Sequence, residues 1–235
     1  MGLSDAIGAA FAMLLSGDAT LWRIVWVSLA TTVTALVLAT PVAVIAGYSI
    51  AVYRFRGRRA VIWLAQATLA VPTVLIGLLL YLLLTRHGPL GGLGWLFTQR
   101  GIIAGQFLIA LPVLVAFTLA AVQAADPRYA ETAIAHGASR WRVMGTLLYE
   151  VRFGVMAAVI TGFGRVISEV GCALMVGGNI AGETRTMTTA IALETSKGEF
   201  AQGIALGIVL VTFALLMNGA LMLLQGDAHA ARGRL

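Results

Sequence analysis

Arg165 and Glu169 are two ionisable side chains deep inside a long apolar stretch of this chain. Residues four apart share one face of a helix, so the two side chains are predicted to pair directly. Ionisable groups at such depth are costly, and they normally face a bundle interior or a water-filled path. Either Arg165 lends positive potential to a route for an anion while Glu169 holds its guanidinium, or the pair only fixes helix packing. We favour the packing role, because a fully paired arginine attracts an anion only weakly. A tight anion site would also slow release, whereas a conducting path needs weak binding.

Covalent catalysis has little support in the sequence. Ser168 and Cys172 are candidate nucleophiles in the same stretch, but a nucleophile needs a base within hydrogen-bond reach. The three histidines all fall outside the apolar stretches: His87, His136 and His229. Cys172 is the single cysteine, which excludes an intrachain disulfide and a cysteine-pair metal site. We therefore expect no enzyme, no metal site and no cofactor in this chain.

A phosphate-binding loop of the Gly-Lys-Ser/Thr type is also absent. The single lysine, Lys197, is preceded by serine and followed by glycine, so the core of that motif does not occur. Any nucleotide-driven motor of this type must therefore be another polypeptide.

The elements that position these residues are predicted from composition. The chain has 235 residues, of which 60% are hydrophobic and 11% charged, whereas soluble domains average about 25% charged. Crossing a hydrocarbon core of about 30 Å takes about 20 helical residues. The spans must be helices, because an open strand would leave backbone amides and carbonyls unpaired in lipid. We predict one all-α integral membrane domain over 1–235, with five spans at about 21–52, 61–84, 101–123, 154–176 and 203–224.

The distribution of cations predicts the orientation. Ten arginines fall on one side of the predicted spans: Arg54, Arg56, Arg58, Arg59, Arg128, Arg140, Arg142, Arg152, Arg232 and Arg234. Five cations fall on the other: Arg23, Arg86, Arg100, Arg185 and Lys197. The positive-inside rule assigns the first group to the cytoplasm, with the N-terminus outside and the C-terminus inside. Because the 54–59 cluster adjoins a span, we interpret it as topogenic and expect no nucleic-acid partner.

The loop 125–152 carries strong local signals. Asp126-Pro127 is typical of a helix start, because the carboxylate accepts orphan amides and proline lacks the donor that would stay unpaired. Gly137 accepts the left-handed geometry of a helix end, and Ser139 is placed to cap a second helix. The predicted helix, turn and helix face the cytoplasm, with Ala133, Gly137 and Ala138 near the bend. The unit is either a lever that docks on a partner or a structural connector.

Two short motifs in this loop resemble those of a known protein family. Glu131-Thr132-Ala133, then Gly137-Ala138-Ser139, resembles the Glu-Ala-Ala loop of ABC importer permeases, the coupling helix that docks on the ATP-binding subunit. Thr132 replaces the usual first alanine, and the closing Leu-Pro is absent. Residues 162–171 and 175–180 are similar to the fourth-span region of the molybdate, sulfate and tungstate permeases. Residues 184–198 resemble the tungstate branch.

The resemblance implies a type I ABC importer permease fold in the cytoplasmic (inner) membrane. It implies a homodimer, two ATP-binding subunits that bind ATP and Mg, and an extracytoplasmic solute-binding protein. The cargo would be an oxyanion, with tungstate first and molybdate or sulfate as alternatives. An ATP-independent anion channel or secondary transporter is a further alternative. The residues of ATPase coupling would be Glu131, Ala133, Gly137, Ala138 and Ser139.

A hydroxyl-rich segment at 177–202 is the remaining candidate. It mixes Asn179, Thr184 and Thr188 with apolar residues and lies on the predicted outer side. Either it dips back into the path as an outer gate or it is a solvated loop. Together with Arg165 and Glu169, these three residues are our candidates for the translocation path or gate.

Overall fold

The computed structural model describes the backbone of residues 3–232 and the side chains of residues 4–219, 222 and 223. Arg234, counted above among the cytoplasmic cations, lies outside the described residues, as does the side chain of Arg232. The described part is helical and contains no strand. Its helices are α1 (Leu3–Leu15), α2 (Ala19–Val52), α3 (Arg58–Ala67), α4 (Thr73–Leu84), α5 (Gln99–Gln123), α6 (Arg128–Ala135), α7 (Arg140–Glu150), α8 (Arg152–Ile167), α9 (Gly171–Gly177), α10 (Met187–Lys197) and α11 (Phe200–Arg232).

Long apolar helices confirm the all-α membrane fold. Among the described residues, three helical segments are long and apolar enough to cross a membrane: α2, α5 and the Phe200–Gly219 part of α11. Two bent helix pairs, α3 with α4 and α7 with α8, raise the number of candidate spans to as many as five. Each spanning helix satisfies its own backbone groups, which is the condition for crossing lipid.

The apolar stretches at 61–84 and 154–176 are not continuous helices. In the first, α3 runs into a 3-10 turn at Thr68–Ala70, and α4 begins directly after Pro72. Proline lacks an amide donor and disfavours helical geometry in the residue before it, so the helix stops there. In the second, α8 ends at Ile167 and α9 begins at Gly171.

The chain forms two compact units. The first consists of Met1–Leu36, Val71–Ile109 and Phe163–Leu216, and the second of Val37–Ala70, Ala110–Gly162 and Met217–Leu235. In the first unit, Cys172 packs against Gly77 and Gly105, where an added Cβ would lie 2.7 Å from Cys172 Cα and 2.5 Å from Cys172 Sγ respectively. Both glycines are therefore required for this close approach.

The second unit has a small core of buried side chains. Tyr48 of α2, Val122 of α5, and Val143 and Leu147 of α7 form this cluster. Two glycines allow close packing nearby. A Cβ on Gly47 would lie 2.9 Å from Thr118 Cβ, and one on Gly154 would lie 2.6 Å from Ala121 Cβ. The core thus ties α7 to the ends of α2 and α5.

The helix α1 precedes the first long apolar helix. Ala6 and Ala10 are buried, whereas Ile7, Phe11 and Leu15 are exposed. The exposed residues are spaced by four, so they form one apolar stripe along the helix. We predict that this stripe lies against a membrane surface.

Candidate functional site

The loop between α5 and α8 is a helix, a turn and a second helix, which we call the α6–α7 unit (residues 126–150). Asp126 Oδ1 accepts a hydrogen bond from the Arg128 amide at 2.9 Å, the capping bond that the sequence predicts. Gly137 has φ +72°, and the Ala138 amide donates to the Ala133 carbonyl at 3.0 Å. This is the left-handed helix end expected of a glycine. Ser139 occupies the N-cap position of α7, but its side chain makes no capping bond.

The motif residues of the α6–α7 unit divide into two groups. Ala133 and Ala138 pack against the cluster of Tyr48, Val122, Val143 and Leu147. Glu131, Gly137 and Ser139 are exposed. The alanines therefore seat the unit on the ends of α2 and α5, and the other three face outward.

Large apolar side chains also face outward from the α6–α7 unit. Ile134 is 62% exposed and Trp141 is 76% exposed. Exposed tryptophan and aliphatic side chains beside charged neighbours are typical of the anchors of protein interfaces. An open groove of about 590 Å³ on the same unit is lined by residues that include Asp126, Thr132 and His136. The unit thus presents a shaped surface with apolar anchors.

Arg165 and Glu169 do not form the predicted pair. Because α8 ends at Ile167, they do not share a helix face. Arg165 is exposed, whereas Glu169 is buried, and its Oε1 accepts a hydrogen bond from the Cys172 amide at 2.9 Å. Glu169 therefore caps the start of α9, where an amide would otherwise be unsatisfied. The expectation of a continuous helix was wrong at this position.

The break between α8 and α9 is closed by α10. Thr188 Oγ1 donates to the Glu169 carbonyl at 2.7 Å, so an oxygen that no longer has a helical partner is satisfied. The start of α10 is fixed in turn by Ser28 of α2, whose Oγ accepts from the Met187 amide at 2.6 Å. Thr186 and Thr189 form a reciprocal capping box at the same end. The segment 177–202 is therefore packed into the first compact unit at these points.

Thr184 and Asn179 hold the turn that leads into α10. Thr184 Oγ1 donates to the Gly177 carbonyl at 2.6 Å and accepts from the Ile180 amide at 2.9 Å. Asn179 has φ +52°, and its Nδ2 donates to the Thr189 carbonyl at 3.4 Å. These side chains are used within the chain, and contact of any of the five path candidates with cargo stays a prediction.

Sequence reasoning missed an ionic cluster formed by Glu194 and Lys197 of α10 and by Arg185, which precedes this helix. Glu194 is almost completely buried and lies 3.7 Å from Arg185 Nη1 and 3.2 Å from Lys197 Nζ. The spacing of Glu194 and Lys197 by three on one helix was the signal available in the sequence. Two cations surround one carboxylate, so the cluster keeps one net positive charge on the predicted outer side.

Comparisons with known proteins agree with this architecture. Residues 39–226 match the family described as binding-protein-dependent transport system inner membrane component. The chain is 41% identical to the tungstate uptake system permease protein TupB of Campylobacter jejuni, over 71% of this chain and 70% of the relative. It is 36% identical to a probable anion ABC transporter permease protein of Haloferax volcanii, over 89% and 91% respectively. It is 31% identical to TupB of Peptoclostridium acidaminophilum, over 96% and 99%.

The family match covers α3 to α10 completely, with the last part of α2 and most of α11, and so includes the α6–α7 unit and the break closed by Thr188. A match of this extent is sufficient to assign the family. The chain is a member of the binding-protein-dependent transport system inner membrane components.

Proposed function

We propose that this chain is the permease subunit of an ATP-driven ABC importer that carries an oxyanion, namely tungstate. The observation that carries the proposal is the α6–α7 unit, an outward-facing surface seated on the ends of two long apolar helices. The substrate follows from the relatives, because two of them are named as tungstate uptake permeases and a third as an anion permease.

The packing of the α6–α7 unit suggests how work reaches the membrane helices. Ala133 and Ala138 touch the cluster that contains Tyr48 of α2 and Val122 of α5. Close-packed interiors transmit displacement with little compression. A partner that holds Ile134 and Trp141 and moves would therefore displace the ends of α2 and α5. In this proposal Glu131, Gly137 and Ser139 contribute to the docked surface, and Gly137 fixes the bend.

The family supports the partners in this proposal, which are a second copy of the chain, ATP-binding subunits and a solute-binding protein. Two copies of the chain form one path across the inner membrane, with the N-terminus outside and the C-terminus in the cytoplasm. Two ATP-binding subunits dock on the cytoplasmic α6–α7 units and bind ATP and Mg themselves. A solute-binding protein delivers the anion from outside. This chain supplies the path, and hydrolysis takes place in the partner subunits.

The test is uptake by proteoliposomes that contain the permease, its ATP-binding subunit and its solute-binding protein. Internal tungsten, molybdenum and sulfur are measured by mass spectrometry, with and without ATP. We expect tungstate uptake that requires ATP and both partners. Uptake by the permease alone would refute the importer, and ATP-driven uptake of molybdate or sulfate without tungstate would refute the substrate.

A pair of glycine variants tests the α6–α7 unit. Gly137→Ala places a side chain at φ +72°, and this left-handed geometry costs about 1–2 kcal/mol. Gly145→Ala is the matched control, because Gly145 lies within α7, has no neighbour within 4 Å of an added Cβ and does not have positive φ. We expect Gly137→Ala to lower ATP-driven uptake several-fold and Gly145→Ala to leave it unchanged. Equal uptake by the two variants would contradict the role of the bend.

A further inference from the structure

We propose that the arginine-rich turn after α2 is a binding site for the phosphate headgroup of an anionic phospholipid. The site is an open groove of about 540 Å³ lined by Arg54, Phe55, Gly57, Arg58 and Arg59. We call it the headgroup groove. It is separate from the α6–α7 unit and from the residues of the translocation path discussed above.

The headgroup groove is held in shape by Arg58. Its Nε donates to the Ile50 carbonyl at 2.6 Å, and its Nη2 donates to the Ala51 carbonyl at 2.9 Å. These carbonyls belong to the last turn of α2, where they would lack helical partners and where the helix dipole is negative. Gly57, with φ +87°, then turns the chain into α3. The turn is therefore fixed, and Arg58 is already engaged.

Arg54 and Arg59 remain available to a ligand. Both side chains are exposed, and neither takes part in the ion pairs found among the described residues, which all involve Glu194. The sequence contains no Asp or Glu between Asp18 and Asp126, so no acidic residue near in the chain neutralises them. The planar guanidinium group binds phosphate in a bidentate manner, which makes this pair a suitable anion clamp.

An apolar surface adjoins the headgroup groove. α3 begins at Arg58 and has no buried residue, and Val61, Trp63 and Leu64 are exposed on it, with Trp63 at 69%. A basic start followed by an exposed tryptophan and leucine is typical of a helix that lies at a membrane interface. A phospholipid matches both surfaces, because its phosphate binds the arginines and its acyl chains cover the apolar face of α3. Free phosphate would leave Trp63 and Leu64 uncovered.

The position of the headgroup groove in the chain agrees with this ligand. The apolar helix α2 ends at Val52, and Tyr53 and Arg54 follow directly. A residue just past the end of a spanning helix lies at the depth of lipid headgroups. Clusters of arginine at this place attract anionic lipids, with about 1 kcal/mol for each cation. The groove therefore lies at the depth in the bilayer where lipid phosphates are found.

The experiment measures lipid retention by the full chain in mixed nanodiscs of phosphatidylglycerol and phosphatidylcholine, followed by native mass spectrometry. We expect retained phosphatidylglycerol in preference to phosphatidylcholine. Arg54→Gln with Arg59→Gln should weaken this retention roughly 30-fold, because two cations are lost. The matched control is Arg86→Gln with Arg100→Gln, which removes two exposed arginines outside the groove and should leave retention unchanged.

Further arms separate the other ligands. Trp63→Ala should also lower retention, whereas millimolar inorganic phosphate should not displace the lipid. Displacement by phosphate would show a soluble anion site, and a defect of the Arg54/Arg59 variant confined to binding of the ATP-binding subunit would show a protein-docking site. Either result, or equal retention of the two lipids, would overturn the proposal. The melting midpoint of each variant is measured in parallel, so that lost retention is attributed to the groove only in folded protein.

Discussion

Alanine at Gly105 should destabilise the chain, and a second substitution at Cys172 should reverse the effect. A Cβ at Gly105 would lie 2.5 Å from Cys172 Sγ, and its next neighbours are at 3.6 Å and 3.8 Å. Ordinary carbon contacts lie at about 3.5–4.0 Å, so the overlap of about 1 Å is with the sulfur alone. Cys172→Ala removes that atom, and the new Cβ then occupies the vacated space.

Gly77 provides the contrasting case. A Cβ at Gly77 would lie 2.7 Å from the Cα of Cys172, which can move only together with α9. Overpacking of a core costs about 1–3 kcal/mol. We therefore expect about 1 kcal/mol for Gly105→Ala, because the sulfur is the end of a side chain, and about 3 kcal/mol for Gly77→Ala. In the Cys172→Ala background, Gly105→Ala should no longer destabilise the protein, whereas Gly77→Ala should cost as much as before.

The assay is thermal unfolding followed by tryptophan fluorescence, since the chain contains five tryptophans. For a domain of this size, about 1 kcal/mol shifts the midpoint by about 2–4 °C. Gly77→Ala should therefore lower the midpoint by roughly 6–12 °C in either background. Gly207→Ala is the control, because nothing lies within 4 Å of its added Cβ. Suppression of both glycine variants by Cys172→Ala, or of neither, would refute this account of the packing.

Three further outcomes follow from the first compact unit. Thr188→Val should lower the free energy of unfolding by about 1–3 kcal/mol, because it orphans a buried carbonyl, whereas Thr34→Val removes an exposed bond and should cost less in the same unfolding assay. Glu194→Gln should be clearly more destabilising than Lys197→Gln, since Glu194 is buried and Lys197 is half-exposed, and denaturant titration distinguishes them. Cys172, 2% exposed, should resist maleimide labelling until the protein unfolds, and rapid labelling of the native protein would contradict its packing.

Local rules predicted the parts of the structure that depend on local interactions. The apolar stretches at 21–52 and 101–123 correspond to α2 and α5, because apolar length is a property of the segment itself. The turn at Gly137 follows from the geometry that glycine permits, and Asp126 caps α6 through an amide two residues away. None of these features needs a distant partner.

The same rules failed where a distant residue supplies the hydrogen bond. Periodicity placed Arg165 and Glu169 on one helix face, because it treats an uninterrupted apolar run as one helix. The chain leaves the helix there since Thr188, nineteen residues beyond Glu169, satisfies the freed carbonyl. The polar composition of 177–202 likewise indicated hydroxyl groups but could not identify their partners, such as the Gly177 carbonyl for Thr184 Oγ1.

The length of α2 bears on the bilayer in which the chain works. Its 34 residues rise about 51 Å. A tilt of about 40° would still leave about 39 Å along the membrane normal, against a hydrocarbon thickness of about 30 Å. At that tilt the helix fits the about 40–45 Å of a bilayer that includes both headgroup layers, so a thinner bilayer would expose its apolar C-terminal turn to water.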